Sequence, residues 1–359
     1  MNRALLLGPG LAVLVACGGS VQSECGDALD GQAIVADASG VHRLDMGDTG
    51  SPEAMLSAAT YDGEGHLWTI QDVQGDLARD GVVLLPLQPD AVVLANWAGT
   101  AALLDVDDDA LELRMPPDAE PTTLVNLPEY LDVYDSLQFA TGGTEAWALV
   151  TGEEFDGTEI ELLLHGTLSG DGEAYWTTEA DVVSDTGIPM ASGLAVSETG
   201  QVALGFTSGC APDCEGELRV GTAGAWTDLP PLGTRIHGLT WGGDGALWVS
   251  TATGAQNLAG CALSWNTGIT LGDDVADLVL VPTADGVAAY GAWKDGSIWR
   301  FLPGSTCDTT SVQVLGRPVD VPLTPVGVQG ASGPTAFLTE TLLSDAPVRG
   351  MPHSTVECL

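Results

Sequence analysis

Short apolar segments separated by turn residues recur along the whole chain. The clearest example is 235–251, where Gly238–Trp241 and Ala246–Thr251 flank the run Gly-Gly-Asp-Gly. This composition is typical of a tight turn between two antiparallel strands. Similar hairpins are predicted at 55–70, 92–106, 136–150, 192–206, 276–293 and 325–340, each followed by a further strand. No window keeps a helical apolar period over three turns. The pattern predicts an all-β protein.

The turn glycines give the period of the repeat. They lie at 65, 99, 143, 200, 245, 286 and 333, at intervals of 34, 44, 57, 45, 41 and 47 residues. A period near 45 with one strong hairpin per unit is typical of β-propeller blades. We therefore predict a seven-bladed β-propeller, with six or eight blades as alternatives. A strand pair within 33–46 is expected to complete the last blade.

Residue size along the hairpins indicates which strand lies where. Small residues stand early in several hairpins, as in Ser57-Ala-Ala59 and Ser192-Gly193, and they suit an inner strand crowded at the central channel. Large residues recur on the second strand, where we expect them to pack between neighbouring blades: Trp68, Trp147, Phe206 and Trp248.

The N-terminus predicts export. Met1-Asn-Arg3 is a short basic segment, and Ala4–Val15 is an apolar run too short to span a bilayer. Leu14-Val-Ala-Cys17 resembles the lipobox of bacterial lipoproteins, which implies a lipid on Cys17 and, with Gly18 following, an outer-membrane anchor facing the periplasm or the cell surface. We predict a signal peptide at 1–16, a lipidated tether at 17–30 and a propeller domain at 31–359. An ordinary secretory signal is the alternative.

Six further cysteines remain after Cys17, an even number that predicts disulfides in an exported protein. Six cysteines can form three disulfides in fifteen different ways. We predict Cys210–Cys214 as a local staple, Cys25–Cys358 as a link between the chain ends, and Cys261–Cys307 by elimination. A zinc site is the alternative for Cys210 and Cys214. However, the spacing of these two cysteines and the lack of a matching second pair suit a zinc site poorly.

The charge excludes some partners. Asp and Glu number 50 against 10 Lys and Arg, for a net charge of −40. Nucleic-acid binding and adhesion to anionic lipid both need basic surfaces and are excluded. The acidic run 105–109 lacks the glycine and glutamate of an EF-hand loop, and we interpret it as an acidic strand-to-strand turn. No metal-spaced cluster of histidines is visible among His42, His66, His165, His237 and His353.

Gly238–Thr251 and Thr60–Ile70 resemble the repeat of NHL, gluconolactonase-like and streptogramin-lyase-like propellers. In the last group a histidine placed like His237 is catalytic, so the resemblance makes His237 the candidate catalytic residue. However, the next repeat has Val275-Ala-Asp-Leu278 where a second histidine would stand. A blade motif does not define an activity.

We therefore expect a lipid-anchored, monomeric, non-catalytic binding or scaffold protein for a protein or glycan partner, without a cofactor. The alternative is a propeller enzyme of the lyase, lactonase or quinoprotein kind, with a site at the channel mouth assisted by a divalent cation. A cation-dependent structural protein of the envelope is a third reading.

Overall fold

The computed structural model describes the greater part of the chain between Gln32 and Glu340. The described residues are 32–45, 56–71, 76–86, 91–107, 110–116, 121–126, 131–154, 159–170, 172–179, 190–208, 215–251, 254–258, 262–264, 275–293, 297–303, 310–316, 323–330 and 335–340. Within these ranges the chain forms 28 β-strands and no helix. Accordingly, the described part contains no helix of the length and hydropathy needed to cross a bilayer.

The strands form seven four-stranded antiparallel sheets, which are the blades of a propeller. Blades 1 to 3 consist of β3 (Leu56–Tyr61), β4 (Leu67–Gln71), β5 (Asp76–Arg79), β6 (Val82–Leu85); β7 (Ala91–Trp97), β8 (Thr100–Asp107), β9 (Ala110–Arg114), β10 (Thr122–Asn126); and β11 (Leu131–Gly142), β12 (Glu145–Glu154), β13 (Glu159–Leu168), β14 (Ala174–Glu179).

Blades 4 to 6 follow the same order. They consist of β15 (Met190–Val196), β16 (Val202–Ser208), β17 (Glu215–Thr222), β18 (Ala225–Asp228); β19 (Gly238–Trp241), β20 (Leu247–Thr251), β21 (Gly254–Asn257), β22 (Ala262–Ser264); and β23 (Val275–Thr283), β24 (Gly286–Trp293), β25 (Ile298–Pro303), β26 (Thr310–Gly316).

Both ends of the described chain build blade 7. Its inner strands are β27 (Leu323–Gln329) and β28 (Thr335–Glu340), and its outer strands are β1 (Gln32–Asp37) and β2 (Gly40–Asp45). Ile34 pairs with Leu338, so the N-terminal hairpin closes the ring. The first strands of adjacent blades contact one another all round, from β3 through β27 and back to β3. The predicted seven-bladed propeller and its closing strand pair are confirmed.

An apolar cluster fills each of the seven interfaces between blades. Between blades 3 and 4, for example, Trp147, Leu149 and Leu163 pack against Leu204 and Phe206. The other six clusters join the remaining neighbours in the same way. Because no blade can bury its apolar faces alone, these interfaces hold the ring together. The large second-strand residues are buried here as predicted: Trp68, Trp147, Phe206 and Trp248.

Glycine is needed at two kinds of position. Six of the seven turn glycines lie in described residues, and all have φ between 58° and 136°, a region that favours glycine. Elsewhere the first strands approach too closely for a side chain. A Cβ on Gly142 would stand 2.1 Å from the Ser197 carbonyl oxygen, and one on Gly327 would stand 2.1 Å from that of Ala59.

Candidate functional site

A polar recess opens at one end of the ring, where turns join the first and second strands of each blade. We call this end the hairpin face. The recess has a volume of about 460 Å³. Blades 7, 1 and 2 meet around it, and its lining residues are Tyr61, Asp62, Gly63, Glu64, Gly65, Asn96, Gln329 and Thr335.

Hydrogen bonds between blades form the wall of the recess. Gln329 Oε1 accepts a bond from the Tyr61 backbone N at 3.0 Å, and Asn96 Nδ2 donates to the Tyr61 carbonyl oxygen at 2.7 Å. Thr141 Oγ1 continues the series by donating to the Asn96 carbonyl oxygen at 2.6 Å. Each of these side chains comes from the end of a first strand. The wall is therefore fixed by four adjacent blades.

Asp62 organises the turn that forms the floor of the recess. Its Oδ1 accepts bonds from the backbone N of Glu64 at 3.0 Å and of His66 at 2.9 Å, while Oδ2 accepts one from Trp68 Nε1 at 2.9 Å. Burial alone would raise the pKa of Asp62, but these bonds outweigh burial and hold it below its ordinary value. The carboxylate is therefore ionised and structurally engaged.

Tyr61 and Gln329 contribute hydrogen-bond donors to the recess. The Tyr61 ring packs on Phe337 with centroids 5.5 Å apart. Burial raises the pKa of the Tyr61 phenol, and the carboxylates of Asp37 and Asp80 raise it further. The hydroxyl is thus protonated at physiological pH. Within the described part of the chain, neither this hydroxyl nor the Gln329 Nε2 amide has a hydrogen-bond partner.

Histidines on the hairpin face are paired with carboxylates. His66 Nδ1 lies 2.7 Å from Asp80 Oδ2, and Asp80 Oδ1 also accepts the Leu67 backbone N–H. The pKa of Asp80 lies below its ordinary value because of these two bonds, the backbone one first. His165 pairs in the same way with Glu145 and stacks on the Trp147 ring.

At the closing blade, Ser39 Oγ donates to Asp37 Oδ1 at 2.6 Å and lies 2.8 Å from His42 Nε2. Burial raises the pKa of Asp37, but its bonds from Ser39 and the His42 charge more than offset this, and the pKa is lowered. Across the described ranges, no group of three or more His, Cys, Asp or Glu residues could hold a metal.

His237 lies at the opposite end of the ring from the recess. It directly precedes β19, as expected for a residue at the start of an inner strand, and its backbone N donates to the Ser250 carbonyl oxygen at 2.9 Å. The side chain is exposed. Neighbouring chain atoms desolvate the ring and Arg235 repels its cationic form, and both lower the pKa of His237.

The acidic run 105–109 begins within β8 and ends directly before β9, so its predicted position between two strands is confirmed. Asp105, however, lies in β8 itself and is only 1% exposed. Its Oδ2 accepts a bond from Arg114 Nε at 3.2 Å, and Arg114 Nη2 also donates to Glu112. Pairing with arginine makes burial of this carboxylate tolerable. The sequence pattern missed it because the partner stands on the next strand.

Several predicted site residues lie outside the described residues. They are Cys17, Cys25, Cys210, Cys214, Cys261, Cys307, Cys358 and His353. The lipid and the three disulfides remain predictions.

Sequence reasoning missed the recess residues. The available signal was positional, because Tyr61, Asn96 and Gln329 each stand three or four residues before a turn glycine. A comparison of this position across the repeats would have found a polar group in adjacent blades. Without the ring order, however, blades 7 and 1 do not look adjacent in the sequence.

The fold and the recess define a seven-bladed β-propeller with a polar recess on its hairpin face. The sequence matches no protein-family model, and it matches no curated protein.

Comparison with solved structures finds several that are similar to this chain. The α-L-arabinanase of Penicillium chrysogenum complexed with arabinobiose is 12% identical, with a TM-score of 0.39 over 73% of this chain and 93% of that chain. The β-propeller domain of Cps50 (Swd1) from Myceliophteria thermophila is 10% identical, with a TM-score of 0.46 over 80% and 97%.

A puromycin hydrolase variant is 15% identical, with a TM-score of 0.49 over 77% of this chain and 49% of that chain. At such identities and scores, these likenesses carry no argument about activity.

Proposed function

We propose that this protein is a lipid-anchored propeller of the cell envelope that binds a glycan, without catalysis, in the recess of the hairpin face. The anchor and the location are supported by the N-terminal sequence ending in Cys17. The recess itself carries the binding proposal. It combines a fixed wall with unpartnered donors and an exposed acceptor.

The chemistry of the lining suits a hydroxyl-rich ligand. Tyr61 offers a phenol O–H, Gln329 offers an amide N–H, and Glu64, whose side chain is 78% exposed, offers a carboxylate. A sugar hydroxyl both donates and accepts, so it satisfies each of these groups. The volume falls within the roughly 300–1,000 Å³ typical of small-ligand sites.

The state of the carboxylates supports binding rather than catalysis. A general acid needs a carboxyl group with a raised pKa. At this end of the ring the pKa values of Asp37, Asp62 and Asp80 are all lowered. Hydrogen bonds to neighbouring groups already engage all three. They stabilise turns, which is a structural role.

The enzyme alternative needs His237 beside two or more carboxylates at the channel mouth. Among the described residues, the charged group that perturbs His237 is Arg235, a cation. This pairing does not favour general acid–base chemistry with a bound metal. We therefore prefer the binding function.

The test is calorimetric titration of the purified full-length protein with a panel of β-linked and α-linked oligosaccharides. Tyr61→Phe removes one donor and should weaken binding about threefold to tenfold, the value of one hydrogen bond. Tyr175→Phe is the matched control, because Tyr175 lies on the outer strand β14 and its hydroxyl donates to Glu173 at 2.7 Å. Absence of binding to every oligosaccharide, or equal weakening by both variants, would contradict the proposal.

A further inference from the structure

The recess lies in a strongly acidic part of the hairpin face. Asp62 and Glu64 line the recess, and the carboxylates of Asp37 and Asp80 lie close enough to act on Tyr61. Among the described residues, the guanidinium of Arg79 contacts both lining carboxylates. Arg79 Nη2 lies 3.5 Å from Glu64 Oε2 and 3.8 Å from Asp62 Oδ2, so its charge is already shared. The whole chain adds a background of −40.

These charges act on the recess itself and not only on its rim. Asp37 belongs to blade 7 and Asp80 to the outer turn of blade 1, yet both act electrostatically on the Tyr61 phenol. A recess between low-dielectric walls concentrates such a field. The position is therefore favourable for a positive charge on the ligand.

Open space at Gly65 gives a ligand access to these groups. Gly65 lines the recess with φ of 86°, and nothing lies within 4 Å of the position where a Cβ would stand. The neighbouring Glu64 carboxylate is exposed, and its contacts within the described ranges are one of 3.5 Å with Arg79 and one of 3.6 Å with His66. It can accept a charged donor without breaking a buried bond.

We infer that the recess selects amino sugars, with the free ammonium group on Glu64 and the sugar hydroxyls on Tyr61 and Gln329. This inference rests on the proposed function. A neutral sugar satisfies the donors of the recess but leaves its negative field uncompensated. An N-acetylated sugar has the same backbone and lacks the charge.

The test uses three trisaccharides with the same β-1,4-linked gluco backbone: chitotriose, triacetylchitotriose and cellotriose. Calorimetry at mildly acidic pH, where the sugar amines are protonated, and at low salt gives the dissociation constants. We expect chitotriose to bind about fivefold tighter than the other two, the value of an exposed ion pair. Added salt should reduce this preference.

Glu64→Gln should bring the three dissociation constants together. Asp285→Asn is the control. Asp285 is an exposed carboxylate that directly precedes the turn glycine of blade 6, and its substitution removes the same charge as Glu64→Gln. It should leave the preference intact. Equal effects of the two variants would mean attraction by overall charge, and the inference would fall.

The outcomes separate the two proposals. If the neutral trisaccharides bind as tightly as chitotriose and Tyr61→Phe weakens all three, the amino-sugar inference is overturned and the glycan function stands. If no oligosaccharide binds, both fall.

Discussion

The turn of blade 1 depends on one carboxylate, and this dependence can be tested by Asp62→Ala. Asp62 accepts bonds from two backbone N–H groups of its own turn and from the Trp68 indole. Trp68 is only 4% exposed, so water cannot readily replace the lost acceptor. We expect the substitution to destabilise the protein and to loosen the floor of the recess.

The magnitude follows from the three bonds. Leaving the buried indole N–H unpaired costs about 1–3 kcal/mol, and the two bonds at the exposed turn add about 1 kcal/mol together after exchange with water. The contact with Arg79 at 3.8 Å adds little, because exposed ion pairs contribute about 0–1 kcal/mol. The expected loss is therefore about 2–4 kcal/mol, which corresponds to a fall of roughly 3–6 °C in Tm for a domain of this length.

Thermal and urea unfolding followed by circular dichroism measure this loss. Asp244→Ala is the matched variant, since Asp244 stands in the equivalent turn of blade 5 but accepts one bond, from the Ala246 backbone N at 3.1 Å. It should cost about 1 kcal/mol or less. If the two variants lose the same stability, the bond from Trp68 is not what makes Asp62 important, and the reasoning is wrong.

Three further predictions concern the ring. Gly142→Ala should lower the unfolding midpoint in urea, since its Cβ would meet the Ser197 carbonyl oxygen at 2.1 Å, whereas Gly170→Ala, with nothing within 4 Å, should not. Deleting residues 1–45 removes β1 and β2 and should abolish soluble folded protein by gel filtration, while deleting 1–30 should not. The lowered pKa of Asp62 stabilises the fold above the ordinary unfolded value near 3.9, and this stability is lost as the pH falls through the folded pKa. In acid titrations Asp62→Asn should therefore show a smaller loss of stability below about pH 4 than the unmodified protein.

The inner hairpins could be predicted from sequence because their chemistry is local. A turn glycine with positive φ, followed by a large apolar residue, marks the same place in blade after blade, as Gly65 with Trp68 and Gly245 with Trp248 do. The period of these marks gives the blade number. The strand pair within 33–46 precedes the first unit of this count, and it completes blade 7.

The outer strands could not be predicted as well, since they bury little. β18, Ala225–Asp228, has exposed residues at three of its four positions, and β14 alternates tryptophan and alanine with exposed tyrosine and threonines. Neither gives a clear apolar period. The further strand predicted after the seventh hairpin, at 348–351, lies outside the described residues and stays a prediction. The described outer strands of blade 7 are β1 and β2.

The recess could not be predicted because it forms at a position where the residue type differs between blades. At the last paired position before the five-residue turn, blades 1 and 7 have Tyr61 and Gln329, while blades 4 and 5 have Val196 and Trp241. The side chains of Gln329 and Asn96 bond to the backbone of Tyr61 from the two neighbouring blades. Val196 has no side-chain group that could make such a bond. One side of an otherwise regular ring therefore has a polar wall, and that side is where the two ends of the described chain meet. The residues that all blades have in common build the ring. The residues that differ from blade to blade, such as Tyr61, Asn96 and Gln329, are therefore free to specify a ligand.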